Sequence, residues 1–342
     1  MKNQKKNISV KTILTIVISM AVAVFFMWLA FRGLEFEKIK GYFAKANYLW
    51  VAAAAVFGIL AYWFRAIRWN LLFEPLGYKI SNSNSFWSIS FGYLMNLTIP
   101  RSGEVARATA LYGVEKVPVD KSFGTIILER VVDLFCMIGF LALTLAFKYD
   151  AILAFYQQAN IDVSPNKVAL IFGILTAAGI LFFAFRSKFR NVPVLGKIIT
   201  IIDGILDGVL SIFKLKQPGK FIFHSVMIWI CYFLAAYLIC FALPETSNFT
   251  IADGFFIIVV GTLGMMIPAS GGIGAFHLAL KLGIGALFLS MGRTFAEGEE
   301  VGLAYAFISH TLQLVIMAVL GFISIPILAK ARNAVVRKEE FK

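Results

Sequence analysis

Seven charged side chains fall at spacings that could hold an anion inside an apolar chain. Arg65 and Arg68 lie three positions apart and share one helix face. Glu104 and Arg107 share another, directly after a proline and a glycine. Glu129, Arg130 and Asp133 form the third group. The fourteen residues that follow, Leu134 to Phe147, are too few to span a bilayer alone. The helix holding this group must begin earlier and carry all three charges into the membrane or a protein-lined cavity. Glu129 and Asp133 repel each other when both are ionised, so they need a cation. Arg130, Arg65, Arg68 and Arg107 are the candidates. We expect Arg130 within ion-pair distance of Glu104, Glu129 or Asp133, and Arg65 or Arg68 lining the same cavity. Arginine's planar fork suits bidentate contacts to phosphate. Charges at membrane depth cost about 2.5–3.5 kcal/mol each even on the mildest scale, which ties them to function.

Two broken stretches are placed to position these groups. The first runs from Gly92 through Asn96, Pro100 and Gly103 to Glu104. The second runs from Gly261 through Pro268 and Gly271 to Gly272. Both carry Ile-Pro-x-Ser-Gly, at Ile99–Gly103 and Ile267–Gly271. Each follows an apolar run of about fifteen residues, short of the roughly 20 needed to cross a bilayer core. Proline and glycine stop a helix and free its backbone groups. Freed backbone at membrane depth survives only inside protein or beside a water-filled cavity. Paired, interrupted short segments in two halves of a chain point to a transporter's binding site.

The class follows from composition. The chain has 342 residues, 60% hydrophobic and only 15% charged, with a mean hydropathy of +0.82. A soluble protein would carry about 25% charged residues. This is an all-α, polytopic integral membrane protein, read as one transmembrane domain over 1–342 with basic tails at 1–11 and 330–342. The formal net charge of +13 does not point to nucleic acid, because the basic residues flank apolar runs. Cys136, Cys231 and Cys240 lie in apolar runs without metal or redox spacing. The run from Ile13 to Phe31 is too long for a signal-peptide core and reads as a retained span.

In order, spans are expected at 12–31, 48–64, 122–147, 167–185, 221–243 and 301–329. Residues 33–47 read as an interfacial helix, 101–121 as polar and partly helical, and 148–166 as a loop. The 186–220 connection is strongly basic, with an amphipathic helix over 198–213. The short segments lie at 85–100 and 253–267, the second returning over 273–291. If both are re-entrant, six full spans remain and both termini are cytoplasmic. Twenty-three Lys and Arg then fall on the cytoplasmic side and seven outside, as the positive-inside rule requires. The two hairpins open to opposite sides, which makes an inverted repeat. Counting each hairpin as two spans gives ten membrane segments with the same charge pattern, so charge leaves eight to ten open.

Blander readings stand beside these. Arg65 and Arg68 could mark the inner interface, and Glu104 with Arg107 could be a surface ion pair. Glu129, Arg130 and Asp133 could form a purely structural network. His224 and His310 read as packing residues. His277 and Lys281, one turn apart after the second break, either line the site or do not. The sequence has no phosphate-binding glycine loop, no nucleophile set and no His/Cys metal cluster, so we expect no enzyme activity, no cofactor and no metal.

Four ordered motifs carry a family resemblance. Arg65-x-x-Arg68-Trp69, Pro100-x-x-Gly103-Glu104-x-x-Arg107, Glu129-Arg130-x-x-Asp133 and Pro268-x-x-Gly271-Gly272-x-Gly274 resemble the signature of the lysylphosphatidylglycerol synthase transmembrane-region family. That family is also called flippase-like, or UPF0104-type. The resemblance covers residues 10–330. It implies a lipid flippase-like domain without the cytosolic aminoacyl-transferring domain of the two-part synthases. The family often has an acidic residue shortly after Gly-Gly-x-Gly, where this chain has His277.

The expected function is movement of a phospholipid or lipid-linked head group, aminoacylated phosphatidylglycerol or polyprenyl-linked among the options, across the cytoplasmic membrane. The alternative is a non-transporting partner of a lipid-modifying or glycosyltransferase enzyme. The expected substrate-binding residues are Arg65, Arg68, Asn96, Pro100, Gly103, Glu104, Arg107, Glu129, Arg130, Asp133, Pro268, Gly271, Gly272, Gly274 and His277. The oligomeric state is left open.

Overall fold

The structure, a computed structural model, describes residues 10–32, 36–99, 101–158 and 215–340. The described residues form helices and no strand. In chain order they are α1 (Val10–Phe31), α2 (Phe36–Lys45), α3 (Tyr48–Phe73), α4 (Asn82–Thr98), α5 (Gly103–Glu115), α6 (Val119–Phe147), α7 (Tyr149–Gln158), α8 (Pro218–Cys240), α9 (Ile251–Met266), α10 (Ala275–Ser290) and α11 (Phe295–Glu340). The span expected at 167–185 and the amphipathic helix at 198–213 lie outside the described residues.

Both breaks end their helices by the same local physics. A residue before proline is pushed out of the helical region by the ring. Ile99, before Pro100, is extended at φ −129°, ψ 116°. Ile267, before Pro268, is extended at φ −67°, ψ 131°. The first turn then uses a left-handed Arg101, at φ 60°, a costly position for a side chain. The second uses Gly271, Gly272 and Gly274, at φ 58°, 77° and 84°, where glycine fits without strain.

After each turn the chain doubles back. Gly92 lets α5 close on α4: a methyl there would lie 2.7 Å from the Gly103 carbonyl and 3.0 Å from Arg107 Cβ. Gly264 does the same for α9 and α10, facing Ala279 at 2.8 Å. The four arms are 17, 13, 16 and 16 residues long. At 1.5 Å per residue each is shorter than a hydrocarbon core of about 30 Å.

Each hairpin anchors its own core. One core gathers Trp69, Phe73, Ile89, Leu111 and Phe221 from α3, α4, α5 and α8. The other gathers Ile239, Phe256, Leu280, Phe288 and Tyr305 from α8 through α11. The 46-residue α11 joins them. Gly302 rests on the Leu280 carbonyl of α10, where a methyl would lie at 2.8 Å. Gly321 rests on Leu94 of α4 with no room for a methyl. Close backbone approach through small residues is how membrane helices associate without a hydrophobic drive between them.

Some boundaries differ from expectation. The span expected at 48–64 continues as α3 to Phe73, because Arg65 and Arg68 find acids instead of ending the helix. Residues expected as loop form α7, whose Ala151 and Ala154 pack into the second core. The expected C-terminal tail is helical to Glu340, with Pro326 inside the helix. Four described helical stretches are long and apolar enough to cross a membrane: Tyr48–Leu76, Pro218–Cys240, Ser270–Ser290 and Phe295–Arg337; the third reaches that length only by adding the turn that begins at Ser270 to α10. Large apolar side chains such as Phe135, Ile138, Phe147 and Phe322 are exposed on the outer faces, as a membrane surface requires.

Candidate functional site

Helical spacing delivers the charged groups of the first half to one place. Arg65 and Arg68 leave α3 on the same face, and Glu129 and Asp133 leave α6 towards them. Arg68 Nη1 lies 2.7 Å from Asp133 Oδ1, and its Nη2 lies 3.3 Å from Glu129 Oε1. Arg107 Nη2 approaches Glu129 Oε2 to 2.6 Å, and its guanidinium sits 4.7 Å from the centre of the Trp69 ring. Trp69 is held in turn by its Nε1–H, which donates to Thr125 Oγ1 at 2.9 Å. Arg65 Nη1 donates to the hydroxyls of Tyr93 and Tyr232, at 2.8 and 3.1 Å, and its Nη2 lies 3.5 Å from Asp133.

Arg130 reaches the cluster from outside. Its Nη2 lies 3.1 Å from Glu104, and its Nη1 lies 3.5 Å from Asp133. The expected ion pairing is thus present, as is the shared location of Arg65 and Arg68. Its depth differs: Arg68 and Glu129 are wholly buried, whereas the Arg130 side chain is 47% exposed. Glu104 and Arg107 do not pair with each other. Arg107 turns inward to Glu129, and Glu104, one helical turn earlier, faces the less buried Arg130.

Asn96 and Gly103 have a backbone role. Asn96 Oδ1 accepts the Gly103 N–H at 2.7 Å, satisfying a free donor at the start of α5. A small pocket, open on one side, lies there, bounded by Arg65, Tyr93, Asn96, Glu104, Arg107 and Arg130. Four guanidinium groups face three carboxylates, which leaves one positive charge in excess. The Nε atoms of Arg65, Arg68 and Arg107 are buried without hydrogen-bond partners among the described residues.

The second break stands apart from this cluster. Pro268 is exposed, and Pro100 lies outside the described residues. Gly271, Gly272 and Gly274 shape the turn, and none of them lines the arginine cavity. His277 is buried against His310 and Phe307 of α11, with ring centroids 5.1 and 4.4 Å away. It faces α11 and does not border the arginine cavity. Lys281 pairs with Glu299 at 3.6 Å and donates to the Arg32 carbonyl at 3.1 Å. The breaks do touch: Arg101 Nη2 lies 3.5 Å from the Met266 carbonyl.

Tyr93, Tyr232 and Trp69 are site residues that the sequence reading did not assign a role. Tyr232, in the middle of an apolar span, carried the legible signal: a buried tyrosine hydroxyl needs a partner.

The family model for the lysylphosphatidylglycerol synthase TM region matches residues 16–321. The chain belongs to this family. The resemblance read from its four motifs is borne out, and the protein is a multi-pass membrane protein. Among curated proteins it is similar to glycosyltransferase AglD of Haloferax volcanii, 24% identical over 305 residues, covering 80% of this chain and 49% of that protein. It is also similar to UPF0104 membrane protein MJ1595 of Methanocaldococcus jannaschii, 31% identical over 108 residues, 31% of this chain and 32% of that protein. The chain thus spans about half of the first relative's length and a third of the second's. No solved structure matches it.

Proposed function

We propose that this chain is a non-catalytic, flippase-like transporter that moves a lipid with an anionic head group across the cytoplasmic membrane. The observation that carries the reading is the excess guanidinium charge around the cavity at the first break. Buried arginines with unpaired N–H groups are donors waiting for an acceptor, and a phosphate offers planar, bidentate complementarity. The broken helices favour the same reading, since freed backbone at membrane depth belongs beside a water-filled cavity. We read the whole chain as one transmembrane domain. It has six full spans, two oppositely facing re-entrant hairpins and both termini in the cytoplasm, on the charge distribution described above.

Reconstitution tests this. Vesicles containing the protein should accelerate translocation of a fluorescent anionic phospholipid well beyond protein-free vesicles. Arg68→Lys should reduce that rate, because a point charge cannot hold Asp133 and Glu129 together while leaving a second planar face. No acceleration with any anionic, aminoacylated or polyprenyl-linked lipid would overturn the reading.

The name of the Haloferax relative favours a second reading, in which the domain holds a membrane-bound glycosyltransferase without transporting anything. Under it, the protein co-purifies with such an enzyme, and the enzyme's activity is indifferent to Arg130→Ala.

A further inference from the structure

The second half of the chain holds a buried polar centre that the arginine cavity does not use. His277 on α10 and His310 on α11 are 3% and 1% exposed. Among the described residues neither ring nitrogen of His310 makes a well-formed hydrogen bond, although the Gly271 backbone lies beside the ring. Burying a polar group without a full partner costs stability. His277 Nδ1 accepts the Gly274 N–H at 3.3 Å, an arrangement that requires Nδ1 to be unprotonated and puts the proton of the neutral ring on Nε2. The ring centroids are 5.1 Å apart. Phe276 and Phe307 cover the pair, at 4.8 Å from His310 and 4.4 Å from His277.

We propose that His277 and His310 form a proton-binding pair that couples lipid movement to the transmembrane proton gradient. The proposal rests on the transport reading given above. One proton added to the neutral pair makes a shared imidazole–imidazolium, and its release restores two neutral rings. Ionisable groups buried in membrane helices mark proton and ion pathways, and histidine exchanges protons in the physiological range.

The surroundings fit a site that changes charge. From α1, Ala23, Phe26 and Met27 crowd Gly274. From α9, Met265 lies against Gly272, near His310. Neither helix brings a charge to these contacts. On α10 the charged group is Lys281, one turn beyond His277, which pairs with Glu299 of α11; the other charged residues of α11 are Glu297 and Glu300 near its start and Lys330, Arg332, Arg337, Lys338, Glu339 and Glu340 near its end. No carboxylate among the described residues is ion-paired with either ring, so nothing there holds the pair permanently charged. The pair also sits at the second break, in the position that the arginine cluster occupies at the first. A change of charge there acts on the turn that touches Arg101 through Met266.

The test has two parts. The chain has three histidines, so a spectrum of protein with isotopically labelled histidine holds three ring signals, assigned by His224→Gln, His277→Gln and His310→Gln. His277 and His310 should titrate as a coupled pair between about pH 4 and 8, and removing one should move the midpoint of the other. Independent titration, or two rings neutral throughout, overturns the pair whatever the protein transports. The second part uses vesicles holding a labelled anionic phospholipid under a one-unit pH gradient. Coupling of one proton per lipid skews the leaflets up to about tenfold. His310→Gln should abolish the skew, as should His310→Phe, which packs on Phe276 without an unpaired polar group. Lipid that moves in the wild type but spreads evenly overturns the coupling. A skew retained in both folded variants overturns the site. Absence of any lipid movement is a failure of the transport reading, and the titration result then stands separately.

Discussion

Glu129 and Arg107 are joined across α5 and α6 by a 2.6 Å ion pair that solvent barely reaches. The same carboxylate also receives Arg68 from α3 at 3.3 Å. One acid thus ties three helices.

Its removal should be costly. Glu129→Ala strands two buried guanidinium groups and should destabilise the protein by about 3–5 kcal/mol. Arg130→Ala removes a half-exposed partner and should cost less than about 1 kcal/mol. Denaturant unfolding in detergent micelles compares the two. Equal losses would mean that burial does not rank these pairs.

A second test concerns the other end of α6. Lys148 Nζ lies 2.5 Å from Asp253 Oδ1, and the other oxygen of Asp253 accepts the Thr250 N–H at 2.8 Å at the start of α9. Asp253→Ala loses both the cap and the ion pair and should cost about 2–4 kcal/mol. A double-mutant cycle with Lys148→Met should give a coupling above about 1 kcal/mol. Additive effects would show that the two residues do not interact.

The tight turn at the first break invites a steric comparison. A methyl on Gly103 would lie 2.5 Å from both Asn96 Nδ2 and the Gly92 carbonyl. Gly103→Ala should therefore destabilise by about 1–3 kcal/mol. A methyl on Gly124, in α6, meets nothing within 4 Å, so Gly124→Ala should stabilise by about 0.5–1 kcal/mol. Thermal unfolding of the two variants should move in opposite directions.

Much of the site was legible because helical geometry is strict. Spacings of three and four predicted which face Arg65, Arg68, Glu129 and Asp133 would share, and the cost of buried charge predicted that they would meet. What sequence spacing could not supply was direction. Glu104 and Arg107 share a face of α5, yet they part to opposite neighbours because α6 offers an acid to one and a base to the other. His277 faces α11, against which α10 packs closely at contacts such as Gly302 on Leu280. The α7 helix went unread because, at ten residues, it is too short to be stable by itself and gains its stability from packing.

The topology has its own test. With native cysteines removed, single cysteines at Ser83 and Lys121, which flank the first hairpin, should label from the cytoplasm. Cysteines at Thr250 and Thr294, flanking the second, should label from outside. Membrane-impermeant reagents on intact cells and inside-out vesicles read this directly. Opposite labelling within either pair would eliminate the paired re-entrant arrangement.

The crossing of Gly321 on Leu94 has a consequence for how the protein is made. The two residues are 227 positions apart in the chain, so at 5–20 residues per second the ribosome delivers one on the order of 10 to 45 s after the other. Throughout that interval the face of α4 that α11 will cover stands open in the membrane, while the charge cluster assembles behind it as Arg107, Glu129 and Asp133 follow Leu94 from the ribosome. Newborn first halves therefore need a guardian, either a lipid or a membrane chaperone, until the last helix arrives.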